Sequence, residues 1–134
     1  MASRKLSDLH PDVQPLAQQF LDKCAAQNID ILVTCTYRSG EEQDELYAKG
    51  RTAAGSIVTN AKAGQSKHNF NISGQPASLA FDVVPLRNGK PVWGTKGEDL
   101  VLWLRVGGIG ESVGMEWAGR WKRFKEFPHF EKTL

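Results

Sequence analysis

The sequence predicts a small α+β domain whose helices pack on a mainly antiparallel sheet. Amphipathic helical stretches are separated by short β-branched runs. An Asn-Gly turn late in the chain joins two extended pieces as a hairpin. At 134 residues the chain is too short for the repeated βαβ units of a three-layer parallel fold. It reads as one domain, residues 1–134, with no internal repeat and no linker.

Residues 11–27 form the first predicted helix. Val13, Leu16, Ala17, Phe20, Leu21, Cys24 and Ala25 recur at spacings of three and four and make one apolar stripe. Pro11 suits the first turn, where its missing N–H costs nothing. Asn28 suits a left-handed stop. Ile29 to Cys35 is β-branched and reads as a buried strand. Ser39 and Glu42 make a capping box, opening a helix to about Lys49 that Gly50 ends, with Leu46 and Tyr47 as anchors. Residues 51–66 are rich in small and polar side chains without periodicity, and loops of that length in small domains tend to serve function.

Leu79 to Pro85 is apolar except for Asp82 and reads as a central strand. Asn88-Gly89 turns the chain back toward Val92 and Trp93. Thr95 and Glu98 form a second capping box before a helix with Leu100, Val101, Trp103 and Leu104 as its apolar positions. Gly107, Gly108, Gly110 and Gly114 break that pattern. Residues 115–123 mix Trp117 and Trp121 with basic side chains, and Phe127 to Phe130 is a last extended piece.

Composition narrows the function. Apolar residues make up 40% and charged residues 24%, an ordinary composition for a water-soluble domain. The net charge of +2 is too balanced to imply nucleic acid, and no helix-turn-helix or zinc-finger spacing occurs. It tolerates an anionic polymer, and Arg120, Lys122, Arg123 and Lys125 supply either a contact for one or a solvated face. The N-terminal residues have no signal-peptide run, and no stretch approaches the roughly 20 apolar residues of a membrane span. The chain is therefore expected to be made in the cytosol and to insert into no membrane. Cys24 and Cys35 fall on adjacent predicted elements and could meet in a disulfide, with buried free thiols the expected state; neither has CxxC spacing, so a cysteine-based zinc site is not expected.

Asp82 is the most informative residue. On a strand it shares a face with Ala80 and Val84, while Phe81 and Val83 point the other way. A carboxylate there is costly unless paired or bound to metal. His68 lies in a polar loop and His129 between aromatics; the third histidine, His10, is near the start. Catalytic zinc uses three protein ligands of this kind and keeps a fourth position open. His68, Asp82 and His129 meet that count, although each also has a bland reading as a salt-bridged or backbone-satisfied group. Glu126 stands three before His129 and needs a bend before Pro128 to reach the same point. There it would move a proton during hydrolysis; otherwise it pairs with Lys122 or Lys125. Arg38, at a strand end, either forks onto a substrate carboxylate or pairs with Glu41 or Glu42.

Several stretches together resemble a known family. They are Thr36-Tyr37-Arg38-Ser39 with Glu42-Gln43 and Leu46-Tyr47, Gly50-Arg51-Thr52, Ser66-Lys67-His68-Asn69, Ala80-Phe81-Asp82-Val83-Val84, and Trp117-Ala118-Gly119-Arg120-Trp121 through to Pro128-His129-Phe130. The chain resembles the zinc D-Ala-D-Ala carboxypeptidase and L-alanyl-D-glutamate endopeptidase group, the VanY-like peptidases. Within that group it is most similar to phage endolysins and wall enzymes. The resemblance implies a hedgehog/D,D-peptidase-like fold and one zinc per chain, held by His68, Asp82 and His129. It implies catalytic roles for Glu126 and Arg38, and substrate contacts from Arg38, Ser66 and Gln43. It further implies a monomer that cuts the L-Ala–D-Glu bond of the peptidoglycan stem, reaching the wall after the membrane has been permeabilised. A D,D-carboxypeptidase and a non-catalytic wall-binding relative are the alternatives. The family motif sets its histidine and aspartate much closer together; here residues 69–81 lie between them. The extra residues, 71–78, are expected to form a loop that rims the cleft. Ala118 stands where the family often has glycine.

Overall fold

The computed structural model describes residues 2–134. In chain order the elements are α1 (Gln14–Ala26), β1 (Asp30–Cys35), α2 (Gly40–Ala48), β2 (Asn71–Ile72), β3 (Gln75–Pro76), β4 (Ala80–Arg87), β5 (Lys90–Pro91), α3 (Glu98–Ser112), β6 (Glu116–Trp117) and β7 (His129–Glu131). The main sheet has the order β1-β4-β7-β6, with β5 paired to β4, and every pairing in it is antiparallel. This is the predicted α+β class.

The local signals acted as their chemistry predicts. Asn28 ends α1 at φ 59°, and Asn88 and Gly89 both take positive φ in the turn from β4 to β5. Ser39 caps α2 through a complete box with Glu42. The buried stripe of α1 includes Val13, Ala17, Phe20 and Cys24. It rests on the sheet through Phe20, whose ring lies 5.5 Å from Phe81 and 5.1 Å from Phe130. Cys24 and Cys35 are both buried free thiols, as expected.

Two expectations for α3 fail. The Thr95–Glu98 capping box does not form; the N-cap is Gly97 at φ 58°, with no side-chain hydrogen bond. The helix also runs straight through Gly107, Gly108 and Gly110. Its inward face is Trp103, Val106 and Ile109, whereas Val101 and Leu104 are exposed. The glycines form the contact surface. A Cβ at Gly107 would strike the Trp117 ring, and one at Gly110 the Phe130 ring. Close approach of the strand aromatics therefore outweighs glycine's helix penalty. Gly110→Ala should destabilise the protein by about 1–3 kcal/mol through overpacking. Gly108→Ala, which meets nothing within 4 Å, should be neutral or stabilise by about 0.5–1 kcal/mol. Urea midpoints of the two variants test this contrast.

Residues 71–78 form a tight hairpin, not an open loop. Ser73 and Gly74 sit at φ 51° and 81°, the two left-handed positions of a type I′ turn. Its return is fastened by Ala77 N–H to Phe70 O, Ser78 N–H to Asp8 O and Leu79 N–H to Lys67 O. None of residues 71–78 lines the cleft described below, so the expectation that they rim it is corrected.

Candidate metal centre

Three neighbouring strands build the floor of the site. Cys35 on β1 pairs with Asp82 on β4, and Asp82 pairs with His129 on β7. Directly paired residues share a face, so the three form a row across the sheet. Phe81 and Phe130, paired one step away, face the apolar core. Asp82 is thus tolerable on a buried strand because His129 lies beside it on the same face and both histidines reach its carboxylate.

His68 comes from the loop above this row. Its residues, 67–69, make one turn of 3-10 helix capped by Ser66, whose Oγ accepts the His68 N–H at 3.2 Å. Asn69 Nδ2 donates to the Arg38 carbonyl at 2.8 Å, and Arg38 N–H donates to the His68 carbonyl at 2.9 Å. His68 Nδ1 lies 2.8 Å from the Thr36 carbonyl, which can only accept, and its Nε2 lies 3.1 Å from Asp82 Oδ1. His129 Nδ1 reaches the same oxygen at 2.9 Å, and its Nε2 lies 2.8 Å from Glu131 Oε1. Each ring has an acceptor at its far nitrogen and turns the other toward Asp82. The three expected metal-binding groups therefore meet. Nitrogen and oxygen donors arranged this way suit a divalent ion such as zinc.

Cys35 was set aside in the sequence reading, and here the structure corrects it. The ligand atoms of Cys35, His68 and Asp82 all lie within 4.8 Å of one another, a cluster compatible with a divalent metal ion. The thiol is 3.6 Å from His68 Nδ1 and 3.6 Å from Arg38 Nη2. It thus approaches the His68 ring at Nδ1, the nitrogen that also meets the Thr36 carbonyl. Its place at the end of β1, just before Thr36-Tyr37-Arg38, was the available signal.

The charges are strongly coupled. Burial favours the neutral form of Asp82, but His68 and His129 more than reverse this and hold its carboxyl well below the usual range. Burial likewise disfavours charged imidazoles, yet Asp82 raises both, with Glu131 helping at His129. Burial pushes Glu126 upward, with Asp82 adding to it. Glu131 goes down, because His129 and Lys67 outweigh its burial.

The cluster opens into a cavity of about 340 Å³ bordered by Arg38, Ser66, Lys125 and Glu126, among others. A second cavity of about 700 Å³ adjoins it, sharing Val58, Thr59, Ser66, Lys125, Glu126 and His129. The long loop 51–66 supplies one wall, in line with its expected functional role. The required bend before His129 is present: a turn spans Phe127 and Pro128, with His129 N–H donating to the Glu126 carbonyl at 3.4 Å. It brings Glu126 Oε2 to 3.9 Å from His129 Nδ1. Ala118 is buried, and its carbonyl accepts the Glu126 N–H.

Arg38 turns to the site and not to Glu41 or Glu42. Its Nη1 donates to Gln43 Oε1 at 2.9 Å, and its Nη2 lies 3.9 Å from Asp82 Oδ2. Gln43, grouped with the substrate contacts by resemblance, lies behind Arg38. It is fully buried, its Nε2 donates to the Ala61 carbonyl, and it lines neither cavity. Its side chain holds Arg38 and the loop.

Comparison with known proteins agrees with this geometry. Two family models, both described as D-alanyl-D-alanine carboxypeptidase, match residues 59–132 and 6–92, the second being VanY. The peptidoglycan L-alanyl-D-glutamate endopeptidase CwlK of Bacillus subtilis (strain 168) is 40% identical over 130 residues, covering 93% of this chain and 74% of CwlK. Two solved structures share the fold at 18% identity. The L-Ala D-Glu endopeptidase ChiX of Serratia marcescens has a TM-score of 0.62, covering 99% of this chain and 89% of ChiX. A vancomycin resistance D,D-pentapeptidase VanY in complex with Zn(II) has a TM-score of 0.61, covering 92% and 71%. A chain matched along most of its length by these models, and by a relative this similar, belongs to the VanY-type D-alanyl-D-alanine carboxypeptidase family.

Proposed function

We propose that the protein is a zinc-dependent peptidoglycan endopeptidase that hydrolyses the L-alanyl–D-glutamate bond of the stem peptide. The observation that carries this reading is the meeting of His68 Nε2 and His129 Nδ1 at Asp82 Oδ1, beside Glu126 in an open cleft. The 40% identity to CwlK across 93% of the chain supports the choice of bond. Two adjoining cavities give a polymer room to continue past the site, which an exopeptidase does not need.

One zinc ion, held by His68, Asp82 and His129, would polarise the scissile carbonyl and make water a stronger nucleophile. Glu126 takes a proton from the attacking water and delivers it to the leaving amine of D-glutamate. A pKa raised by burial suits a group that must both accept and return a proton. Arg38, held by Gln43 and Asp82, presents a rigid guanidinium to the carboxylate or carbonyl of the substrate. Ser66 holds His68 in place and touches substrate from the cleft wall.

In the same reading the enzyme is a monomeric phage-type lysin that reaches the wall through a separately encoded membrane pore. Among the described residues, no helix is long and apolar enough to cross a membrane.

Digestion of purified peptidoglycan tests the bond assignment. New N-terminal D-glutamate is expected, and the protein should carry about one zinc per chain, lost with activity on chelation. Free D-alanine instead would assign a D,D-carboxypeptidase, a reading that the family description itself favours. Undiminished lysis by the folded, metal-stripped protein would remove the metalloenzyme reading altogether.

A further inference from the structure

We infer that Glu131 is a positioning residue for the metal centre, fixing the His129 ring and fastening the segment that carries His129 to the one that carries His68. The inference rests on the zinc reading above. His129 and Glu131 are two apart on β7 and so share a face. Glu131 Oε1 lies 2.8 Å from His129 Nε2, while its Oε2 lies 2.8 Å from Lys67 Nζ. Lys67 is the residue before His68, and its Nζ also donates to Thr133 Oγ1 at 2.7 Å. One carboxylate therefore bridges the ring of one metal-binding histidine and the backbone neighbour of the other.

An ionised carboxylate can only accept, so His129 keeps a hydrogen on Nε2, and Nδ1 is the nitrogen that would give up its proton to an ion beside Asp82. The Thr36 carbonyl does the same for His68 from the opposite nitrogen. The two rings thus come to one point with the nitrogen each would offer a metal already chosen, the arrangement that outer partners of metal-binding histidines provide. The side chain of Glu131 is only 13% exposed and that of Lys67 30%. Their ion pair is better shielded than a free surface pair and gains more from each partner.

Zinc affinity, measured on the full chain by competition with a chromophoric chelator, tests this. Glu131→Ala should weaken zinc binding by about 10–100-fold. Glu131→Gln keeps an acceptor for the His129 N–H and loses the ion pair, so it should weaken binding less. Lys67→Met, which leaves Glu131 on the ring, should give a small loss of the same sign. Saturating zinc should restore most of the kcat of Glu131→Ala, which a loss of fold would not allow. Wild-type affinity in Glu131→Ala overturns the inference and leaves the zinc reading standing. Should that variant fail to fold, wild-type affinity in both Glu131→Gln and Lys67→Met overturns it equally. A wild-type protein that takes up no zinc overturns the site reading, and this inference with it.

Discussion

Glu126→Gln should lower kcat/KM by about 10²–10⁴-fold, the usual contribution of a positioned acid–base group, while the protein keeps its full complement of metal. The amide is nearly the same size but can neither take up nor return a proton. Because Glu126 lies 3.9 Å from His129 Nδ1 and its carboxylate is half exposed in the cleft, removing its charge leaves His68, Asp82 and His129 in place. Zinc content by elemental analysis, together with stem-peptide cleavage rates, checks both halves. The wild-type pH profile carries the same signature. Glu126 must be ionised to accept a proton, and its pKa is raised by burial. Activity should therefore fall on acidification as Glu126 takes up a proton, and Glu126→Gln should lose that limb. A variant that retains the wild-type rate would remove Glu126 from the chemistry.

Asp82→Ala should abolish both metal binding and turnover, and it should also change how the metal-free protein responds to pH. Before an ion binds, Asp82 is the counter-charge for two buried imidazoles, with His68 lifted to about 10 and His129 to about 9. Groups with raised pKa stabilise the fold fully below their unfolded value, about 6.5 for histidine. That stabilisation is lost as pH rises through 9 to 10. Asp82, whose pKa is lowered, contributes above its unfolded value of about 3.9, and this is lost in strong acid. The cluster therefore stabilises the metal-free wild type most between about pH 4 and 6.5. In that window Asp82→Ala should cost about 3 kcal/mol, the low end for breaking a buried pair, since the imidazoles can shed their protons. Urea titrations across pH with chelator present measure this. Zinc uptake by the wild type near pH 7 should release protons, seen as a buffer-dependent heat. A metal-free wild type with flat stability from pH 5 to 9 would contradict the coupling.

Much of the framework was legible because its signals are local. Asn28, the Ser39–Glu42 box and the Asn88-Gly89 turn each satisfy backbone geometry within a few residues, so the fold needs only to be compatible with them. His68, Asp82 and His129 were legible by count and by resemblance. What was not legible depends on register. Cys35 enters the site because a shift of register between Val33 and Cys35 sets it opposite Asp82, a pairing that no spacing in the chain encodes. The outward face of α3 was misread for a related reason. Its glycines look like helix breakers until Trp117 and Phe130 are known to lie against them. Gln43 belongs to a substrate-binding stretch by resemblance, and its burial under the loop at Ala61 depends on a long-range contact that local pattern does not show.

The hairpin at residues 71–78 adds a practical consequence. It lengthens the link between two metal-binding residues without entering the cleft, and its tip at Ser73-Gly74 is exposed while its base is tied to residues 8–10. The stretch between His68 and Asp82 thus carries a hairpin of its own, while their side chains still meet at 3.1 Å. That tip is the natural place to graft a targeting peptide or fluorescent label, with the anchored base insulating the cutting machinery from its cargo.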